Sequence, residues 1–235
     1  MSIGAKGSVD EQRDNPINGL GYAPEWAGTN IFLVCQTVSD ETASLMPEEK
    51  VSIKNAAQRR CNTFSSGRAA ARTALAQAGL PSSSLPSNAD GSVSWPEQVI
   101  GSVTHTDDWA IAAVAMTAMC EARCIGIDLE RIQPLKDGVL RLIANDAELA
   151  ELAESAGEHW PAVALFSLKE SVYKCLRPLV GSFIEFQDVE ICNIASGRPT
   201  IRFLSEALNS HCQAEHLELR MAVSPNHVFT LVWLR

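Results

Sequence analysis

The chain is poor in the features that announce several large protein classes. None of its 235 residues falls in an apolar stretch approaching the roughly 18 residues a membrane helix needs, and the opening segment has no apolar core of a leader. Its seven cysteines form an odd set without a C-x-x-C pair, which argues against zinc fingers and disulfide scaffolds and suits reduced thiols. Basic residues are the minority, 19 against 28 acidic, and a net charge of -9 argues against general nucleic-acid binding. Walker loops, G-x-G-x-x-G after a strand, G-x-S-x-G and H-E-x-x-H are all missing. What is present is an ordinary globular balance of 46% apolar and 20% charged residues. A chain of this length buries about 70–75% of its unfolded surface and needs no structural metal for its core. A cytoplasmic monomer without a membrane span or a nucleic-acid partner is expected.

The charge is unevenly spread. Residues 50–89 hold six basic residues and no acid, leaving 13 basic against 28 acidic elsewhere. A basic cluster on an acidic chain suits capture of a small polyanion, although a solvated helix face has the same composition. Helical spacing places Arg60, Phe64, Arg68 and Arg72 along one stripe, with no carboxylate in the segment to neutralise it. Arginine's planar fork also matches a phosphate.

Periodicity predicts strands at 30–38, 100–103, 109–116, 123–130 and 183–192 and a final strand pair, with an irregular 1–28. Helices are predicted at 56–80 (interrupted at 65–67), 138–156, 161–177 and 203–213. The two halves echo one another in the same order: IFLVCQTV with CIGIDLE, FSSGRAAARTAL with FSLKESVYKCL, and VTHTDDWAIAAV with VSPNHVFTLVW. Identity is low enough for chance to compete. If the echo is genuine, the fold is α+β, two similar α/β subdomains in a pseudo-twofold arrangement, divided as 1–118 and 119–235 with a ligand cleft between them.

Three places carry candidate chemistry. In CIGIDLERI a period of two puts Ile125, Ile127 and Leu129 on one face and Gly126, Asp128 and Glu130 on the other. Paired carboxylates with room at Gly126 suit Mg2+ better than zinc, though a strand end running into solvent also reads D-x-E. In SLKESVYKCL, Lys169 falls inside the apolar arc and must snorkel or pair with a carboxylate. Glu170 and Lys174 lie at i and i+4, either as a surface pair or as a third metal carboxylate beside an anion-binding lysine. In GSVTHTDDWA, His105 sits in a polar turn with Thr104 and Thr106 beside it, a surface residue or a phosphate donor.

Taken together, R-x7-R in RRCNTFSSGRAAARTAL, then W-P followed by GSVTHT, then IGIDLE, then F-S-x-K-E-S-x-x-K resemble the 4'-phosphopantetheinyl transferases over about residues 54 to 180. The branch containing enterobactin synthase component D is the one the chain is most similar to in this reading. The resemblance implies transfer of the 4'-phosphopantetheine arm of coenzyme A to a serine of an apo acyl, aryl or peptidyl carrier protein, as in siderophore and nonribosomal peptide biosynthesis, with release of adenosine 3',5'-bisphosphate. It implies that Asp128, Glu130 and Glu170 hold Mg2+, that Arg60, Arg68, Thr104 and His105 bind the 3'-phosphate and adenosine, that Lys174 meets the pyrophosphate, and that Glu170 is the base for the carrier serine, directly or through a metal-bound water. One departure shows: relatives often carry a Lys or Arg ahead of the W-P pair, whereas Ser87 or Ser92 occupies the region ahead of Trp95-Pro96 here. A Mg2+-dependent hydrolase of a nucleotide pyrophosphate, and a non-catalytic module binding coenzyme A or a carrier, are the rival readings. The segment 131–143, with Arg131, Lys136 and Arg141 among apolar residues, is expected to touch the carrier.

Overall fold

The structure is a computed structural model that describes residues 15–17, 30–154 and 158–235. Most of the irregular segment expected at 1–28 lies outside the described residues. The chain runs through β1 (Ile31–Thr37), α1 (Pro47–Lys50), α2 (Gln58–Gln77), β2 (Val99–His105), β3 (Trp109–Met116), β4 (Cys124–Arg131), α3 (Asp137–Ile143), α4 (Asp146–Ala153), α5 (Trp160–Val180), β5 (Val189–Cys192), β6 (Thr200–Phe203), α6 (Glu206–His211), β7 (Leu217–Val223) and β8 (His227–Leu234).

Two three-stranded antiparallel sheets, ordered β1-β3-β2 and β4-β8-β7, repeat one plan: an edge strand, a long helix, then a hairpin whose second strand takes the centre. The echo in the sequence is therefore an echo in topology, an α+β fold of two similar units. Central strands β3 and β8 are buried on both faces, and their alternation separates the core into layers. Ile111, Ala113 and Ala115 meet Ile125, Ile127, Leu129, Phe229, Leu231 and Trp233 between the sheets. On the outer side of the first sheet Ala70, Ala71, Ala74 and Leu75 of α2 cover Val34, Ala112 and Val114. On the outer side of the second, α5 covers Cys124, Val228, Val232 and Leu234. The order helix, sheet, sheet, helix follows.

The expected interruption of the first long helix at Ser65, Ser66 and Gly67 is not there, because α2 passes through without a break. Small residues let the backbone approach its neighbours: Ser66 Oγ donates to the Ser39 carbonyl at 2.9 Å and accepts from the Ser39 N–H at 3.0 Å, while Ser65 Oγ accepts from Glu41 N–H at 3.2 Å. The helix expected at 138–156 is two helices, parted at Ala144. Asn145 starts the second with a capping box, its side chain accepting from Glu148 N–H and Glu148 returning the bond. In place of the strand at 183–192, a 3-10 turn over Phe186–Asp188 precedes the shorter β5, as the polar Gln187 and Asp188 break the alternation. The helix at 203–213 is confined to α6, and β6, which pairs with β5, had no counterpart in the sequence reading.

Edge strand β2 of the first unit lies against edge strand β4 of the second, joined through side chains. Ser102 Oγ accepts from Ile127 N–H at 3.1 Å and Thr104 Oγ1 from Leu129 N–H at 3.2 Å. This seam positions the candidate site.

Candidate active site

A cleft of about 550 Å³ opens between α2 and α5 along β2, lined by Arg60, Arg68, His105, Trp95, Lys174 and Arg177 among others. Gly101 lets the Trp95 ring lie on β2, since a Cβ there would fall 2.8 Å from the ring. A second depression of about 500 Å³ shares Arg60, Thr63 and His105 and is walled by Glu130 and Arg131. Glu170 and Tyr173 border a smaller hollow of about 110 Å³ with Phe183 and Phe186.

The first unit supplies cations, but not as an uninterrupted stripe. Arg60 is exposed and donates to His105 Nε2 at 3.0 Å. A guanidinium has no acceptor, so Nε2 accepts and the imidazole is neutral with its proton on Nδ1. Burial, reinforced by the Arg60 and Lys174 charges, holds the His105 pKa below its ordinary value, in agreement. His105 is the last residue of β2, paired with Ala110, rather than a turn residue. Arg68 is only 4% exposed and lies over the Phe64 ring, 4.4 Å from its centroid. It donates from Nε to the Leu85 carbonyl at 2.6 Å and from Nη2 to Ser87 Oγ at 3.1 Å. Burial brings its pKa down to about 10, so it stays charged at neutral pH. Arg68 thus braces the segment before Trp95 as well as facing the cleft.

The third guanidinium corrects the sequence reading. Arg72 is neutralised by Glu49, at 2.7 Å, whose side chain is wholly buried and also accepts from the N–H groups of Leu85 and Met46. The acid-free segment begins one residue after this partner, which is why the stripe looked unpaired. Arg59 likewise pairs with Asp107 at 2.5 Å.

The second unit supplies carboxylates. Gly126 brings the backbone of β4 against α5 so closely that a Cβ would sit 1.9 Å from the Ser171 carbonyl oxygen. The room expected at this glycine is thus filled by the helix. As a result Lys174 Nζ donates to Asp128 Oδ1 at 2.6 Å and to the Ile127 carbonyl at 3.2 Å. Thr104 reaches across the seam to the same oxygen at 3.3 Å, which directs its hydroxyl to Asp128. Burial raises the Glu130 pKa to about 7, with Asp128 and Glu170 adding and Lys174 opposing. Burial raises Glu170 too, against Lys174 and helped by Asp128. Among the described residues no group of three or more His, Cys, Asp or Glu side chains is gathered tightly enough to form a ready metal cage. Asp128 Oδ2 nevertheless is buried with no hydrogen-bond partner among them. An orphaned carboxylate oxygen beside two acids whose pKa values burial and mutual repulsion push upward is a donor set of hard oxygens that fits Mg2+.

Lys169, the anomaly in the apolar arc, pairs with a carboxylate as its position requires. Its buried Nζ donates to Glu148 Oε2 at 2.8 Å and to the carbonyls of Ile143 and Phe186. It ties three segments together and faces none of the cleft. Sequence reasoning missed Glu49, which lacked any motif, and Arg177, whose i+3 spacing from Lys174 was the available signal.

Comparison with known proteins fits this geometry. Residues 48–115 match the 4'-phosphopantetheinyl transferase N-terminal domain and residues 124–232 the 4'-phosphopantetheinyl transferase superfamily. Over 172 residues the chain is 38% identical to the 4'-phosphopantetheinyl transferase Svp of Streptomyces mobaraensis, covering 72% of this chain and 68% of that protein. The chain belongs to this family. It is 34% identical to the 4'-phosphopantetheinyl transferase PptT of Mycobacterium tuberculosis over 62% of this chain and 64% of that one. A holo-[acyl-carrier-protein] synthase of Limosilactobacillus reuteri is 32% identical over 47% of this chain and 94% of its own length. These alignments span about two thirds of the first two relatives. As a 4'-phosphopantetheinyl transferase, the chain moves phosphopantetheine from coenzyme A to carrier proteins. No helix among its described residues is long and apolar enough to cross a membrane.

Proposed function

We propose that the transfer takes place in the cleft at the seam, with the first unit binding the nucleotide end of coenzyme A and the second activating the carrier serine. The observation that carries this reading is the division of charge: the Arg60 and Arg68 guanidiniums beside a neutral His105 on one side, and the Asp128, Glu130 and Glu170 carboxylates with Lys174 on the other. Arg60 exchanges its bond to His105 for the 3'-phosphate, and Arg68, held by Leu85 and Ser87, adds a fixed charge beside it. Lys174 meets the pyrophosphate, and Thr104 positions Asp128. Asp128, Glu130 and Glu170 would hold Mg2+, which when bound offsets charge on the pyrophosphate. Glu170 takes the proton of the carrier serine hydroxyl. The serine oxygen bonds to the phosphorus that bears the pantetheine arm while that phosphorus releases its bridging oxygen, and adenosine 3',5'-bisphosphate leaves.

The two matched stretches support dividing the chain as 1–118 and 119–235. Motif order supports placing it in the branch of enterobactin synthase component D, with siderophore or nonribosomal peptide carriers as its acceptors. The segment 131–143 presents Leu142, which is 71% exposed, and Val139 beside Arg141, supporting its contact with a carrier helix. Incubating several apo-carriers with coenzyme A and Mg2+ tests the function: a gain of about 340 Da, the mass of the arm, is expected on the acceptor serine. Free 4'-phosphopantetheine with every carrier unmodified would point to hydrolysis instead.

A further inference from the structure

One guanidinium that borders the cleft has no role in the reading above. Arg177, in the last turn of α5 and one turn beyond Lys174, lines the same cleft as Arg60, Arg68 and His105. Its guanidinium makes no hydrogen bond or ion pair with any described residue, unlike those of Arg59, Arg60, Arg68 and Arg72. The helix dipole favours a cation at a helix end, which accounts for a positive charge but not for its facing a cleft. Across from it, the loop at 88–92 lines the cleft with Asn88, Asp90, Gly91 and Ser92. From residue 73 to 122 the chain contains no Lys or Arg, so this wall contributes no cation of its own. It contributes Asp90 instead, whose carboxylate accepts from the N–H and hydroxyl of Ser92 and lies within electrostatic reach of Arg177.

We propose that Arg177 is a coenzyme A-binding residue, reaching a phosphate of the nucleotide end from the wall opposite Arg60, and that Asp90 competes with that phosphate for it. The proposal rests on the coenzyme A reading of the cleft. Arg177 has no hydrogen bond to break on binding, only the longer-range attraction of Asp90, whereas Arg60 must release His105 and Arg68 is committed to Leu85 and Ser87.

Calorimetric titration of coenzyme A, in the absence of divalent cations, into the wild type and the variants Arg177→Ala, Arg177→Lys, Asp90→Asn and Arg60→Ala tests it. Arg177→Ala is expected to weaken binding about tenfold, the scale of a charge-assisted hydrogen bond, with part recovered by Arg177→Lys. Asp90→Asn is expected to tighten binding about threefold, a modest electrostatic effect, and to do nothing in the Arg177→Ala background. Repeating the titration with 3'-dephospho-coenzyme A locates the phosphate: a defect that persists assigns the pyrophosphate, and one that disappears assigns the 3'-phosphate. Wild-type affinity in Arg177→Ala, alongside weakened Arg60→Ala, overturns the proposal and leaves Arg177 as a helix-end charge. Failure of the wild type to bind both without divalent cations and with Mg2+ would overturn the coenzyme A reading of the cleft itself.

Discussion

At matching places in the repeated helices, α2 carries Arg68 and Arg72 where α5 carries Glu170 and Lys174. Both downstream cations form an ion pair with a buried carboxylate, Arg72 with Glu49 and Lys174 with Asp128. The difference lies in what remains. The two oxygens of Glu49 are fully used, by Arg72 and by the N–H groups of Leu85 and Met46. Asp128 gives one oxygen to Lys174 and Thr104 and keeps the other without a partner. A satisfied buried pair holds the fold; an unsatisfied one is available for a ligand. One scaffold position thus serves structure in the first unit and, in the proposed function, the site in the second.

The contrast breaks most visibly at Asp128. Asp128→Ala should lower transfer by at least about 100-fold, the scale of losing a group that organises transition-state charge, and raised Mg2+ or Mn2+ should restore part of it. Carrier modification followed by mass spectrometry reads the loss, and unchanged transfer would make the pair structural like its counterpart. Glu49→Gln should instead cost about 3–5 kcal/mol of stability, as breaking a buried ion pair does. Denaturant titration would show it, while the KM for coenzyme A in the folded fraction should hold.

A smaller effect separates the arginines. Arg60→Ala should raise the KM for coenzyme A about tenfold and matter little for 3'-dephospho-coenzyme A, because the exposed Arg60 guanidinium donates to His105 within the cleft and makes no ion pair among the described residues. An equal rise with both compounds would place Arg60 away from the 3'-phosphate. Smallest is a pH dependence. The Glu130 pKa is raised from 4.5 to about 7 in the folded chain. Its protonated form is the one the fold prefers, so this stabilisation is complete below about pH 4.5 and lost as pH rises through about 7. Without divalent cations, melting temperature should fall over that window, and Glu130→Gln should flatten the slope.

Most of this was legible in the sequence where periodicity or order carried it. The alternation in CIGIDLE fixed β4 and its faces, and the repeated strand, helix and hairpin order foretold both sheets. What escaped depends on contacts distant in the chain. Lys169 could be seen to need a carboxylate, but not that Glu148 supplies it across a break at Ala144. Small residues at 65–67 read as a helix interruption because single-residue propensity cannot show that segment 39–41 docks on them. The arginine stripe was correct as spacing and wrong as charge, since Glu49 joins it from outside the segment considered.

The central claim is that the second unit's helix supplies the proton acceptor while the first unit's helix holds the co-substrate. Glu170→Gln keeps the size of the side chain and removes its charge, so it isolates that claim. Intact-mass analysis of the carrier, paired with calorimetric binding of coenzyme A, is the direct measurement. The account predicts transfer reduced by about 100-fold or more, the scale of general acid–base catalysis, with coenzyme A still bound through Arg60 and Arg68. Near-normal transfer by Glu170→Gln would contradict it and leave Glu170 without a part in the reaction, with Lys174 serving only its ion pair with Asp128.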